Sequence, residues 1–278
     1  MTTPATAPRA VPVRAFSARR VYAMVLRYVY LLRGSWPRII EAAYWPTVQM
    51  IMWGFMTQFL AERTSYIAQA FGVLLSAVLL WDVLFRGQLG LSLSFLEEMW
   101  SRNLGHLFVS PLKPGEMICA LTVMSLLRTL VGAVPASLLA IAFFGFSVYS
   151  LGVSLIVFFF NLIVFGWAVG LAVSGLVLRF GLGAESLAWA AIFALLPVSG
   201  VYYPIAALPE WLQTVAWGLP PSYVFEGMRA VLRTGAVRLD LMAWAAVLNL
   251  LYFALGAAAF LFSFHVARKR GLLLQIGE

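Results

Sequence analysis

Apolar positions run almost unbroken through this chain, and polar residues gather in short clusters between them. A helix needs about 20 apolar residues to cross a bilayer. Six runs qualify: 39–60, 67–95, 117–145, 151–178, 185–203 and 239–264. The pattern predicts an all-α polytopic membrane protein with six transmembrane helices. Its parts are a basic N-terminus over 1–38, a membrane domain over 39–264 and a tail over 265–278. An even number of passes puts both termini on one side.

Three polar segments interrupt that pattern informatively. Before the first run, residues 14–36 carry Val21, Val25, Tyr28 and Leu32 at helical spacing, with Arg20 and Arg27 on another face. This predicts an amphipathic helix lying in the membrane interface. It serves either as a basic anchor or as a docking element for a cytoplasmic partner.

The second segment, "SFLEEMWSRNLGHLFVSPLKPGEM" (94–117), separates the second and third runs. Leu96, Trp100, Leu104 and Leu107 recur at helical intervals, while Glu97, Glu98, Arg102 and His106 mostly take other faces. Pro111 and Pro114 then stop the helix. The result is a short amphipathic helix that is either surface trim or a docking element.

The third, 198–231, gathers Pro204, Pro209, Pro220 and Pro221 just after Pro197 and follows them with Glu226 and Arg229. Proline breaks a helix interior and frees backbone groups that hydrocarbon cannot satisfy. Such a stretch must be buried in protein, line a wet cavity or lie outside the apolar core. Trp211 and Trp217 suit the lipid–water interface, and Glu226 and Arg229 are spaced to pair on one helical face.

Charge settles the orientation. Seven arginines, at 9, 14, 19, 20, 27, 33 and 38, precede the first run, and "ARKRG" follows the last. Only Arg63, Arg229, Arg233 and Arg238 fall in segments on the other side. The bias places both termini in the cytoplasm. It reads as charge facing an anionic membrane surface, in the cell (inner) membrane, and not as a nucleic-acid surface.

Within the runs, Asp82, Arg86 and Arg128 form an intramembrane charge cluster. Asp82 and Arg128 fall at similar depth in antiparallel neighbours, so they are expected to pair. Arg86 is the alternative partner of Asp82, one helical turn away. Asn161, Glu185 and Asn249 are further polar points, and their spacing marks no site.

Composition agrees with a membrane protein: 63% of residues are hydrophobic and 11% charged, the latter about half the share of soluble domains. One cysteine and two histidines leave too few ligands for a zinc, iron–sulfur or histidine-rich metal centre. The only lysines, Lys113 and Lys269, are followed by Pro114 and Arg270, so no Gly-x-x-x-x-Gly-Lys-Ser/Thr phosphate loop is present.

Two segments carry a family resemblance. "EEMWSRNLGHLFVSPLKP" resembles the gate and coupling helix of ABC-2-type exporter permeases, and "SGVYYPIAALPEWLQTVAWGLPPSYVFEGMR" resembles the element before their last span. With the six runs and the basic N-terminal helix, the likeness covers nearly the whole chain. It implies a cytoplasmic coupling helix between spans two and three. It also implies short re-entrant outer helices between spans five and six, around Pro204, Pro209, Trp211, Glu226 and Arg229.

The same resemblance implies the permease subunit of an ATP-driven exporter, with no cofactor of its own. ATP and magnesium would be used by a separate ABC ATPase subunit, and a second permease copy, identical or related, would complete the path through the lipid bilayer. Glu97, Glu98, Arg102, Pro111 and Lys113 become the expected ATPase-coupling residues. The alternative is a proton-coupled secondary transporter using Asp82 and Glu185 without an ATPase. A membrane-embedded transferase is disfavoured because no face gathers the His, Asp or Glu residues it would need.

Overall fold

The computed structural model of the chain describes residues 16–61 and 65–270. Arg9, Arg14, Arg63 and the end of the tail lie outside the described residues. Among those described there is no strand, and the chain is an all-α polytopic membrane protein.

The helices are α1 (Ala18–Arg33), α2 (Trp36–Ala61), α3 (Ser65–Trp100), α4 (Leu104–Val109) and α5 (Pro114–Phe144). They continue as α6 (Val153–Phe180), α7 (Ser186–Leu195), α8 (Glu210–Trp217), α9 (Pro220–Thr234) and α10 (Leu239–Lys269). Among the described residues, four stretches are long and apolar enough to cross a membrane: Gly72–Trp100 of α3, and α5, α6 and α10.

Local chemistry sets the helix ends. Pro114 opens α5, where its missing N–H costs nothing. The Glu116 carboxylate accepts the Lys113 N–H at 3.0 Å just before it. Gly145 closes α5 in the left-handed conformation (φ 62°), its N–H returning to the last turn. Pro220 and Pro221 likewise open α9.

The expected fifth span does not form as one continuous helix over 185–203. Its helix, α7, stops at Leu195, and turns carry the chain to residue 203. Ten residues rise about 15 Å, roughly half the hydrocarbon thickness. The physical reason is Pro197, which has no N–H to donate to the preceding turn and so ends the helical hydrogen-bond ladder.

The long helices alternate in direction, and two apolar clusters mark the ends of the bundle. At one end, Met24 and Tyr28 of α1 pack with Phe95, Met117, Leu121, Leu178 and Phe260. At the other, Val224, Phe225 and Met228 of α9 pack with Leu75, Ala136, Phe158 and Met242. α6 lies between α3 and α10, its two most intimate neighbours.

Small residues permit that approach. A Cβ on Gly256 of α10 would sit 2.3 Å from the Ala168 carbonyl oxygen of α6. One on Gly166 would sit 2.8 Å from the Leu84 carbonyl oxygen of α3. Neither contact is compatible with any larger residue, so backbone-to-backbone packing around α6 depends on these two positions.

Candidate functional site

The segment from Glu97 to Glu116 sits at the α1 end and has an inward and an outward side. Inward, Arg27 of α1 grips Glu98 with two hydrogen bonds of 2.6 and 3.1 Å, and Asn103 donates a third at 2.8 Å. Arg20 grips Glu116 in the same bidentate way (Nε to Oε2 2.8 Å), and the Ser17 N–H adds another bond at 2.8 Å. The Glu116 bond holds the Arg20 guanidinium above its ordinary pKa. Burial, and behind it the charge of Glu98, pushes the Tyr28 phenol up, keeping it protonated. The two arginines read from sequence as membrane-facing charge are therefore interior clamps, each closing on a carboxylate of a different helix.

Glu98 is 1% exposed, so it is turned away from any soluble partner of this face. Its carboxylate faces Arg27 of α1 instead. Glu97 is less enclosed and carries two cations: Arg128 of α5 at 2.9 Å and Arg38 of α2 at 3.8 Å. Of the other residues expected to dock, Arg102 and Pro111 are exposed and Lys113 is half-buried; Val109, outside that set, is 90% exposed beside them. Arg102 is the described non-glycine residue with positive φ, at 55°. Backbone bonds from Arg102 N–H to Met99 and from Asn103 N–H to Glu98 surround it. α3 thus ends in a left-handed turn of the kind glycine usually supplies, and α4 hangs beyond it.

The charge cluster inside the membrane is split. Asp82 does not pair with Arg128. Its partner is Arg86, one turn away on the same helix, at 2.7 Å. The local pair forms without aligning two helices, which is why it prevails over the interhelical one. The long Arg128 side chain instead runs toward the α1 end, where Glu97 and Arg38 lie. A second polar contact joins residues whose spacing marked no site: Asn249 of α10 donates to the Asn161 side chain of α6 at 2.8 Å and to its carbonyl at 3.0 Å. Trp100 donates to Glu185, just before α7, at 3.3 Å. Among the described residues no three His, Cys, Asp or Glu side chains are close enough to hold a metal ion.

At the opposite end, the proline-rich stretch turns on one ion pair. Arg229 of α9, its side chain 5% exposed, meets Glu226 at 3.1 Å. The guanidinium also donates to the carbonyls of Gly200 (2.7 Å) and Val201 (3.4 Å), while Glu226 accepts the Ile205 N–H at 2.8 Å. The backbone groups released around Pro197 and Pro204 are thereby satisfied by a charged pair on a later helix. Pro204 opens a single 3-10 turn over Ile205–Ala207, and Pro209 opens α8. Trp211 lies on the open side of α8, 70% exposed. α9 packs against α3, α6 and α10, so the stretch folds back into the bundle and is not a loose loop.

A clamped polar segment at one end of the bundle and a folded-back proline segment at the other are thus the structures formed by the two stretches that carried the sequence resemblance. Comparison with curated proteins returns no match. The family model described as ABC-2 type transporter matches residues 27–232, from the middle of α1 through most of α9. That is well over half of the chain and includes both features, so the chain belongs to the ABC-2 type transporter family.

Proposed function

We propose that the chain is the membrane subunit of an ATP-driven exporter, coupled at the α4 segment to a separate ATPase that carries the phosphate-binding loop. The observation that supports this most is the two-sided build of residues 97–116. Glu98 and Glu116 are clamped beneath by α1, while Arg102, Val109 and Pro111 stand outward with nothing of this chain over them among the described residues. An exposed valine beside a proline and a cation offers a soluble subunit an apolar anchor and a charge. Expected coupling contacts therefore narrow from five residues to Arg102, Pro111 and Lys113, joined by Val109; Glu97 and Glu98 act from within.

In this reading the α1 end faces the cytoplasm and the chain sits in the cell (inner) membrane. α2, α3, α5, α6, α7 with its following turns, and α10 make six passes, α8 and α9 dip back from the outer side, and two permease copies enclose the path. ATP and magnesium act in the partner subunit. The basic surface of α1 and the arginine bias of the first 38 residues support that orientation.

The test is purification of the full chain in mild detergent from its native membrane, with ATP hydrolysis assayed on the product. A stoichiometric P-loop subunit, released by Val109→Asp together with Arg102→Glu, is the expected result. A preparation without ATPase, in which an imposed proton gradient drives uptake into vesicles, would overturn it in favour of the secondary transporter.

A further inference from the structure

α3 is the most enclosed of the membrane-crossing helices. From Phe85 to Trp100 its residues that are not fully buried are Phe85, Arg86, Leu93, Glu97, Met99 and Trp100. Phe85, Leu93 and Met99 pack against an apolar cluster that α3 shares with α6 and α7. Arg86, Leu93, Glu97 and Trp100 recur at intervals of seven, four and three, which places them on a single stripe whose polar members are Arg86 and Glu97. A lipid-facing stripe on such a helix should be its most apolar side. This one carries Arg86 and Glu97, with Arg128 and Arg38 drawn onto Glu97.

Depth sharpens the contradiction. Arg86 lies fourteen residues from the Trp100 end of α3 and twenty-one from its Ser65 end, well inside the helix. Asp82, buried behind it, takes only the Nε donor, at 2.7 Å. The two terminal amino nitrogens have no partner among the described residues, and the side chain retains 12% exposure. Unsatisfied charged donors this deep in a membrane-crossing helix are not tolerated against hydrocarbon, so this face meets water or polar matter. Beside it, Phe85 packs its ring 6.1 Å from those of Trp189 and Phe193 on α7, both of which keep an exposed side.

We propose that this stripe of α3 is the wall of a water-filled path, and that Arg86 there receives an anionic phosphate or carboxylate group of the cargo, with the aromatic side chains of α7 flanking the apolar remainder. Asp82 positions the guanidinium by holding Nε, which leaves the outer two-nitrogen edge presented for bidentate contact with an oxyanion. Resident lipid headgroups sit at the bilayer surfaces and do not reach this depth, so the anion arrives with the cargo. Arg38 of α2 and Arg128 of α5 flank Glu97 at the α1 end of the stripe and outnumber it, giving an approaching anion a favourable route inward. The proposal rests on the transporter reading above.

The test uses the full chain with Cys119→Ser, in nanodiscs of zwitterionic lipid, carrying either Leu93→Cys on the stripe or Leu138→Cys on the exposed apolar side of α5. A membrane-impermeant sulfonated thiol reagent is expected to modify the Leu93→Cys protein and leave the Leu138→Cys protein unmodified. Phenyl phosphate is expected to slow the first reaction about tenfold, benzyltrimethylammonium to leave it unchanged, and Arg86→Gln to reduce the protection below about twofold. Should Arg86→Gln fail to fold, Asp82→Asn with Arg86→Gln removes both charges and serves the same purpose.

Equal protection with and without Arg86, or no labelling of the Leu93→Cys protein, would overturn the proposal. So would protection by anionic phosphatidylglycerol nanodiscs alone, which would make the ligand a resident lipid. Any of these results with a bound, coupled ATPase still present would refute the anion site and leave the exporter reading standing.

Discussion

Replacing Arg229 by methionine keeps most of the side-chain volume and removes four contacts at once: two with Glu226 and one each with the Gly200 and Val201 carbonyls. Leaving the partner of a buried ion pair uncompensated costs about 3–5 kcal/mol. Glu226 is partly exposed and keeps the Ile205 N–H, so its share belongs at the low end, about 3 kcal/mol. The Gly200 carbonyl, losing a 2.7 Å bond from a charged donor, adds about 1–2 kcal/mol. The total, about 4 kcal/mol, corresponds to a fall in Tm of roughly 8–16 °C for a chain of this size. Fluorescence-monitored thermal unfolding in detergent measures it, and limited proteolysis should locate new cleavage between residues 197 and 221. Glu226→Gln combined with Arg229→Met should be less damaging than the sum of the singles by about 1–3 kcal/mol, because it removes the unpaired carboxylate. A single mutant within a degree of the parent, or strictly additive singles, would show that the pair does not hold the proline stretch.

Arg27→Gln should loosen α1, and because Arg27 is itself part-exposed the cost should be only about 1–2 kcal/mol, read as faster amide exchange across α1; adding Glu98→Gln should restore most of it. Arg102→Gly should leave Tm equal or raised by about 0.5–1 kcal/mol equivalent, since glycine fits φ 55° without strain, while ATP hydrolysis and transport become uncoupled through loss of the charge. Gly256→Val should cost more than about 3 kcal/mol, because even its Cβ falls 2.3 Å from the Ala168 carbonyl; folded yield by size-exclusion chromatography checks this.

What was legible in the sequence followed from physics that acts locally. Hydropathy located the long helices within a few residues, and the spacing of Val21, Val25, Tyr28 and Leu32 placed the packed face of α1 correctly. Glu226 and Arg229, three apart, paired as their spacing required. Contacts between distant segments were not legible. Nothing along the chain ties Arg20 to Glu116 or Arg27 to Glu98, because each pair is set by how α1 lies across the bundle. The equal-depth argument for Asp82 and Arg128 failed because depth was counted at Cα positions, whereas arginine reaches far along its own helix before it must find a partner. Pro197 was visible, yet its effect on the fifth run was masked by apolar residues on both sides.

The clamps of α1 also bear on how a push at α4 would travel. α4 is joined to α3 through the left-handed turn at Arg102 and to α5 through the extended stretch before Pro114. Left alone, six residues on two such joints would swing without moving either long helix. α1 removes that freedom, because Arg27 holds the last turn of α3 at Glu98 and Arg20 holds the first turn of α5 at Glu116. The ends of α3 and α5 are therefore fixed to one rigid strut, about 24 Å long at α1's sixteen residues. Force applied at Val109 in the proposed exporter would turn α1, α3 and α5 together, and α3 carries the charged stripe along its length. Cutting both clamps with Arg20→Gln and Arg27→Gln should accordingly leave the ATPase bound but reduce cargo-stimulated hydrolysis toward the basal rate. Undiminished stimulation in that variant would mean that the motion enters through α4 alone and that the strut is only an anchor.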